Sequence, residues 1–156
     1  MNFKIERLNM IRLTEICTEE QIGNLRKLLA YLETLPEDYA HFDMAEFCKL
    51  YTPVDLVPGT LTFTGRRPYV VPPTPCGSCG CLVGHGPYAG IEAYPIENWM
   101  GYCYRVFGTR IHKNCPLWHW LFSAEWAENH NTLAHAIGRL KQVLDTGDIP
   151  EVYNYL

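Results

Sequence analysis

The residues with the most chemical potential stand in the middle of the chain. Cys76, Cys79, Cys81 and His85 follow one another with two, one and three residues between them, and His112, Cys115 and His119 follow with two and three. Zinc takes four thiolate or imidazole ligands in a tetrahedron, and short Cys/His spacings supply them two at a time. If Cys81 and Cys115 each open a helical turn, His85 and His119 fall one turn later on the same face. Cys76, Cys79, Cys81 and His85 are therefore the candidate zinc ligands, although their spacing matches no standard zinc finger. The same residues admit a second reading, in which small thiols and glycines allow close packing of helices, since free cysteine is among the most buried residue types. A third makes Cys76 a nucleophile at a helix start, its pKa lowered by the helix dipole, with His85 as base.

Other catalytic signatures are missing. The run Gly84-His85-Gly86-Pro87-Tyr88-Ala89-Gly90 could cradle a phosphate, but it lacks the Gly-Lys-Ser/Thr ending of a P-loop and reads as a tight turn. The sequence holds no paired-histidine zinc protease motif, dinucleotide fingerprint or nucleophile elbow.

Aromatic residues make up 13% of the chain, and eight of the 20 crowd between Trp99 and Trp126. Helical spacing puts Trp99, Phe107 and Trp120 in the core and leaves Tyr102, Trp118 and Trp126 partly off the buried stripe. Beside Arg105, Arg110 and His119, such rings could stack a base or form a protein interface. Tyr88, in the glycine turn, completes this candidate set for ligand or partner binding.

The elements that must position these groups are mostly helices. Thr18-Glu19-Glu20-Gln21 is a capping box, and Ile22, Leu25, Leu28, Leu29, Leu32 and Leu35 follow at helical spacing up to Pro36. Asp43-Met44-Ala45-Glu46 repeats the capping pattern for a short helix. Eight prolines and glycines between 51 and 75 forbid a long helix there. Leu61–Thr64 and Tyr69–Val71 read as a short hairpin around Gly65-Arg66-Arg67-Pro68. Ser78–Val83 reads as a short helix stopped by Gly84 or Gly86. A helix opens at Pro95, with Ile96, Trp99, Met100, Cys103, Val106 and Phe107 as its apolar stripe, and ends at Gly108; another opens at Pro116; the last, capped by Asn131, closes at Gly147. The fold class is mainly α: a compact helical domain with a short β-hairpin in a Pro-rich excursion, residues 1–156 forming one domain.

Composition sets the outer limits. At 156 residues, 47% hydrophobic and 19% charged, the chain can build a core without staples. A net charge of -4 argues against bulk nucleic-acid binding. No stretch is apolar enough to span a membrane, and Glu6, Arg7, Asn9 and Arg12 interrupt any leader-like run. Seven cysteines, an odd number, without a secretion signal point to reduced thiols in a cytoplasm.

Several segments together resemble a group of uncharacterised bacteriophage and prophage proteins: Leu35-Pro36 with Phe42-Asp43-Met44; Cys76-Gly77-Ser78 with Cys81, Gly84 and His85; Trp99 to Phe107-Gly108; Trp120-Leu121-Phe122-Ser123 with Trp126; and Asn131-Thr132 with Ala136, Arg139-Leu140 and Gly147 to Pro150. The group's pattern resembles Cys-Gly-Thr-x-x-Cys-x-x-Gly; here Ser78 replaces the threonine and Cys79 is additional. The resemblance implies an accessory role in the cytoplasm of an infected bacterium and brings no activity with it. The expected function is that of a non-enzymatic binder that blocks or sequesters a host defence component, either a protein or a nucleotide-like signal. A small zinc- or Cys/His-dependent enzyme is the first alternative. A structural or assembly protein that forms homo-oligomers is the second.

Overall fold

The structure, a computed structural model, describes residues 11–39, 42, 44, 81–109, 115–123, 125–128 and 130–150. The expected hairpin at 61–71, the short helix after Asp43, Cys76, Cys79, Arg110 and His112 lie outside the described residues.

Among the described residues four α-helical segments dominate: α1 (Leu13–Ile16), α2 (Glu19–Glu33), α3 (Trp99–Phe107) and α4 (Leu133–Thr146). A 3-10 turn (Val83–His85), a π-helical turn (Trp118–Phe122) and a second 3-10 turn (Glu125–Ala127) lie between them. The class is mainly α. Two short strands, β1 (Ile11–Arg12) and β2 (Asp148–Ile149), pair antiparallel, with Ile11 opposite Ile149 and Arg12 opposite Asp148.

The long helix α2 forms where its signals place it. Gln21 N–H donates to the Thr18 hydroxyl at 3.2 Å, and the Gln21 side-chain oxygen Oε1 accepts from Thr18 N–H at 2.9 Å. Leu25, Leu28 and Leu32 bury one stripe, which packs against both α3 and α4. The helix stops at Glu33, with Thr34 as C-cap, three residues before Pro36.

The joint between α2 and α3 answers a general problem: the last four carbonyls of a helix have no partner within it. At the end of α3, Gln21 Nε2 donates to Tyr104 O (3.2 Å) and Arg105 O (3.3 Å), Asn24 Nδ2 to Val106 O (2.9 Å), and the Cys17 thiol to Phe107 O (3.1 Å). The capping box of α2 thus also caps the end of α3. Gly108 closes α3 in the left-handed conformation, φ 75°, where glycine carries no Cβ penalty.

The core is a chain of rings. Trp99 meets Tyr102 edge-on (5.8 Å), Tyr102 meets Phe107 edge-on (6.3 Å), Phe107 stacks on Phe122 (5.3 Å), and Trp118 tilts against Phe122 (6.1 Å). On α4, Leu133, Ala136, Leu140, Val143 and Leu144 are buried.

Several expectations need correction. Pro95 does not open α3; the helix begins at Trp99, because the Asn98 side chain accepts from Gly101 N–H (2.7 Å) and Ile96, at φ 55°, cannot continue a right-handed helix. Asn131 is not the cap of α4. Thr132 is, through His135 N–H, while Asn131 Oδ1 accepts from the backbone N–H of Met44 at 2.8 Å. Of the expected helix at 78–83 only Cys81, Leu82 and Val83 are described, and they lead into the 3-10 turn Val83–His85, capped by Gly86. Pro116 leads into a π-helical turn, closed by Ser123 N–H to Trp118 O at 2.8 Å; this wider winding buries Trp118, Trp120, Leu121 and Phe122 together. Tyr102 and Trp118 are core residues and do not stand off the buried stripe.

Candidate functional site

His85 lies at the centre of an aromatic nest. Its ring is fully buried, with Tyr39 edge-on (5.7 Å) and Phe42 (5.6 Å) and Tyr88 (5.7 Å) tilted against it; Tyr88 in turn stacks with Tyr31. Nδ1 is 2.7 Å from Cys81 O, and Nε2 is 3.1 Å from the Tyr39 hydroxyl. A carbonyl only accepts, so Nδ1 carries the proton. In the neutral ring the lone pair on Nε2 then receives the Tyr39 O–H. A metal on His85 would have to displace Tyr39, and a substrate proton would find that lone pair engaged. Among the described residues no three His, Cys, Asp or Glu side chains are arranged to hold a metal. His85 and His119 do each follow their cysteine by one turn, with N–H to O distances of 3.0 and 3.3 Å.

Of the described cysteines, Cys17, Cys81 and Cys103 are buried, Cys115 is half-buried, and none is in a disulfide. Burial pushes the Cys17 thiol up to about 12, helped by Cys115 nearby. Burial also raises Cys103, partly offset by its 2.6 Å hydrogen bond with Thr109, and raises the phenol of Tyr102. Thiols held this way are poor nucleophiles at neutral pH. Each of these two thiols binds its proton more tightly in the folded chain. Its stabilising contribution is complete below the unfolded thiol value of about 8.5 and is lost as pH rises towards the folded value. Stability should hold to about pH 8 and then fall, each buried thiol adding up to about 1.4 kcal/mol per pH unit. Urea midpoints across pH 7–11 test this: Cys103→Ala and Cys17→Ala should each flatten the alkaline limb, and an unchanged slope in both variants would refute the assignment.

The Trp120–Trp126 region is tied together by a residue the sequence did not suggest. The Arg139 guanidinium lies 4.1 Å from the Trp120 ring centre and 4.7 Å from that of Trp126. Arg139 Nη1 donates to Trp120 O (3.0 Å), and Trp120 Nε1 donates to Arg139 O (3.1 Å). Trp126, half-buried, also donates to Leu121 O. The arrangement fastens the π-helical turn to α4, and half-buried His119 lies on that same turn.

Among the described residues the most exposed large apolar side chains are elsewhere. Tyr94 is 61% exposed, Ile96 92%, Met100 57% and Tyr104 46%. Met100 and Tyr104 stand one turn apart on α3; Tyr94 and Ile96 belong to the turn before it. Pro95 and Ile96 are its central residues, and Glu97 N–H to Tyr94 O at 3.1 Å closes it. Such a turn normally carries glycine or asparagine where Ile96 stands.

Arg105 braces the turn. Its Nε and Nη2 grip both oxygens of Glu97 at 2.8 Å, Nη2 also donates to Glu92 O (2.9 Å), and the guanidinium lies 3.7 Å from the Tyr94 ring centre. This bidentate pair holds the Glu97 carboxyl below the usual carboxylate range, aided by a hydrogen bond from Tyr94 N–H. The brace persists wherever Glu97 is ionised and is lost only as pH falls through that lowered value.

The candidate set therefore divides. Tyr102 and Trp118 serve the core, Tyr88 the nest, and Arg105 the brace. Ile96 and Met100, which helical spacing after Pro95 assigns to the apolar stripe, stand in solvent instead: Ile96 lies before the helix and Met100 on its exposed face; the Tyr-Pro-Ile-Glu turn is the signal that competes with that spacing. No protein-family model, curated protein sequence or solved structure matches the chain. Among the described residues no helix is long and apolar enough to cross a membrane.

Proposed function

We propose that the protein is a non-enzymatic binder that docks on a partner protein through the ridge of Tyr94, Ile96, Met100 and Tyr104. In the phage-related setting its sequence resembles, the partner is a component of host defence in the bacterial cytoplasm, which the protein blocks or sequesters. The observation carrying this reading is Ile96. A β-branched residue in the left-handed conformation costs about 1–2 kcal/mol, and here the surrounding brace holds it with its side chain in solvent. Strain kept at an exposed apolar tip is more characteristic of a binding element than of a connector. Tyrosine, methionine and arginine are also the types enriched at protein interfaces. A nucleotide-like ligand fits less well, because the Arg105 charge is engaged by Glu97.

Two substitutions at Ile96 test the reading. Ile96→Gly should stabilise the chain by about 1 kcal/mol by removing the strain, whereas Ile96→Asp should leave stability nearly unchanged at so exposed a position. Both should lose the partner that the wild-type chain co-purifies from infected cells, and both should lose any protection of phage growth on a defended host. Full retention of both properties by the two variants would overturn the proposal.

A further inference from the structure

The partner's chemistry follows from what surrounds the ridge. Glu92 is exposed, and its backbone oxygen is fixed at the foot of the ridge by Arg105. Gln21 donates to Tyr104 O and Arg105 O, which brings the first turn of α2, with exposed Glu19 and Glu20, to the other end. Among the described residues no cation forms an ion pair with Glu19, Glu20 or Glu92, and the Arg105 guanidinium is committed to Glu97. Among the described residues the apolar tips thus stand between carboxylates that no ion pair neutralises.

We infer that the ridge receives a basic, amphipathic segment of another protein, its apolar side chains seated on Tyr94, Ile96, Met100 and Tyr104 and its lysines or arginines facing Glu92, Glu19 and Glu20. The inference rests on the docking function proposed above and adds the sign of the partner's charge. A second copy of this chain is the poorer occupant. Two-fold pairing of the ridge would set one copy's carboxylates near the same carboxylates of the other, and like charges facing across an interface work against binding.

The test uses the full chain and two fluorescent helical peptides of about four turns. They share one leucine face; one carries lysine at its polar positions, the other glutamate. Fluorescence anisotropy at low salt should show the lysine peptide binding at least about tenfold more tightly than the glutamate peptide, with the difference shrinking as salt is raised. Ile96→Asp should weaken that binding about tenfold or more, as expected for an interface anchor. Ile96→Gly should do the same in a chain whose fold is retained, checked by its melting curve. Glu92→Lys combined with Glu20→Lys should remove the charge preference.

The failures separate. Equal binding of both peptides, lost in the Ile96 variants, overturns the charge inference and leaves the ridge as a docking surface. Lysine-peptide binding indifferent to both Ile96 variants overturns the ridge itself. Binding of neither peptide overturns the inference. A chain that is dimeric by native mass spectrometry and becomes monomeric with Ile96→Asp overturns it in favour of a second copy.

Discussion

Phe107→Ala should lower the free energy of unfolding by about 3–5 kcal/mol, the usual cost of removing a fully buried aromatic ring. Phe107 is the junction of the ring chain, edge-on to Tyr102 and stacked on Phe122. Its carbonyl is also where the Cys17 thiol joins the end of α3 to the segment before α2. Tyr102 cannot move to fill the void without giving up its hydrogen bond to Ile91 O. Against a typical total stability of about 5–15 kcal/mol, such a loss populates the unfolded chain measurably. Urea titration should show a lower midpoint with an unchanged slope. Phe107→Leu, which keeps most of the volume, should cost less than half as much. A loss below about 1 kcal/mol for the alanine variant would mean that this ring is not packed as described.

Gly108→Ala should cost about 2–3 kcal/mol, from two separable causes. At φ 75° any L side chain is strained, which accounts for about 1–2 kcal/mol. The new Cβ would also stand 2.7 Å from the Gln21 side-chain oxygen and 3.2 Å from Ile16 O. Gln21 cannot yield freely, because the same side chain completes the capping box and caps α3; disturbing such a cap costs about 1 kcal/mol. A double-mutant cycle separates the two causes. In a Gln21→Ala background the alanine at 108 should escape the crowding against Gln21 and cost about 1 kcal/mol less than in the wild type. Equal costs in both backgrounds would rule out the crowding against Gln21.

Much of this helical frame is legible in the sequence, because local signals decide it. Thr18 with Gln21 marks the start of α2, its leucines mark the buried stripe, and Gly108 and Gly147 mark ends that need a left-handed residue. Failures come where two local signals compete. Pro95 and Asn98 are both good helix starts, and Asn98 wins because Ile96 has turned the chain out of the helical region. Asn131 and Thr132 are both good caps, and Asn131 is taken by Met44, far away in sequence. Gly86 reads as a helix stop, but its φ of -54° is open to any residue. Its reason is distant: a Cβ there would overlap the Tyr102 hydroxyl. The candidate site was harder to read. Residue type makes Arg105 a candidate, but does not show that Glu97 holds it or that its plane supports Tyr94. Arg139 lies on the last helix, and nothing in its neighbourhood of sequence announces the two indoles it joins.

The pairing of β1 with β2 has a mechanical meaning. Ile11 faces Ile149, Arg12 faces Asp148, and Leu13 N–H continues the contact to Gly147 O at 2.8 Å. In this antiparallel arrangement the outer ends of both strands lie at the same edge of the pair. A pull applied between residues 11 and 149 therefore runs along the hydrogen bonds, loading them one after another from Ile11 towards Leu13, instead of shearing them all at once. The clasp should part like a zip at low force, while α2, α3 and α4 remain locked behind it by their shared core and the caps at Gln21 and Asn24.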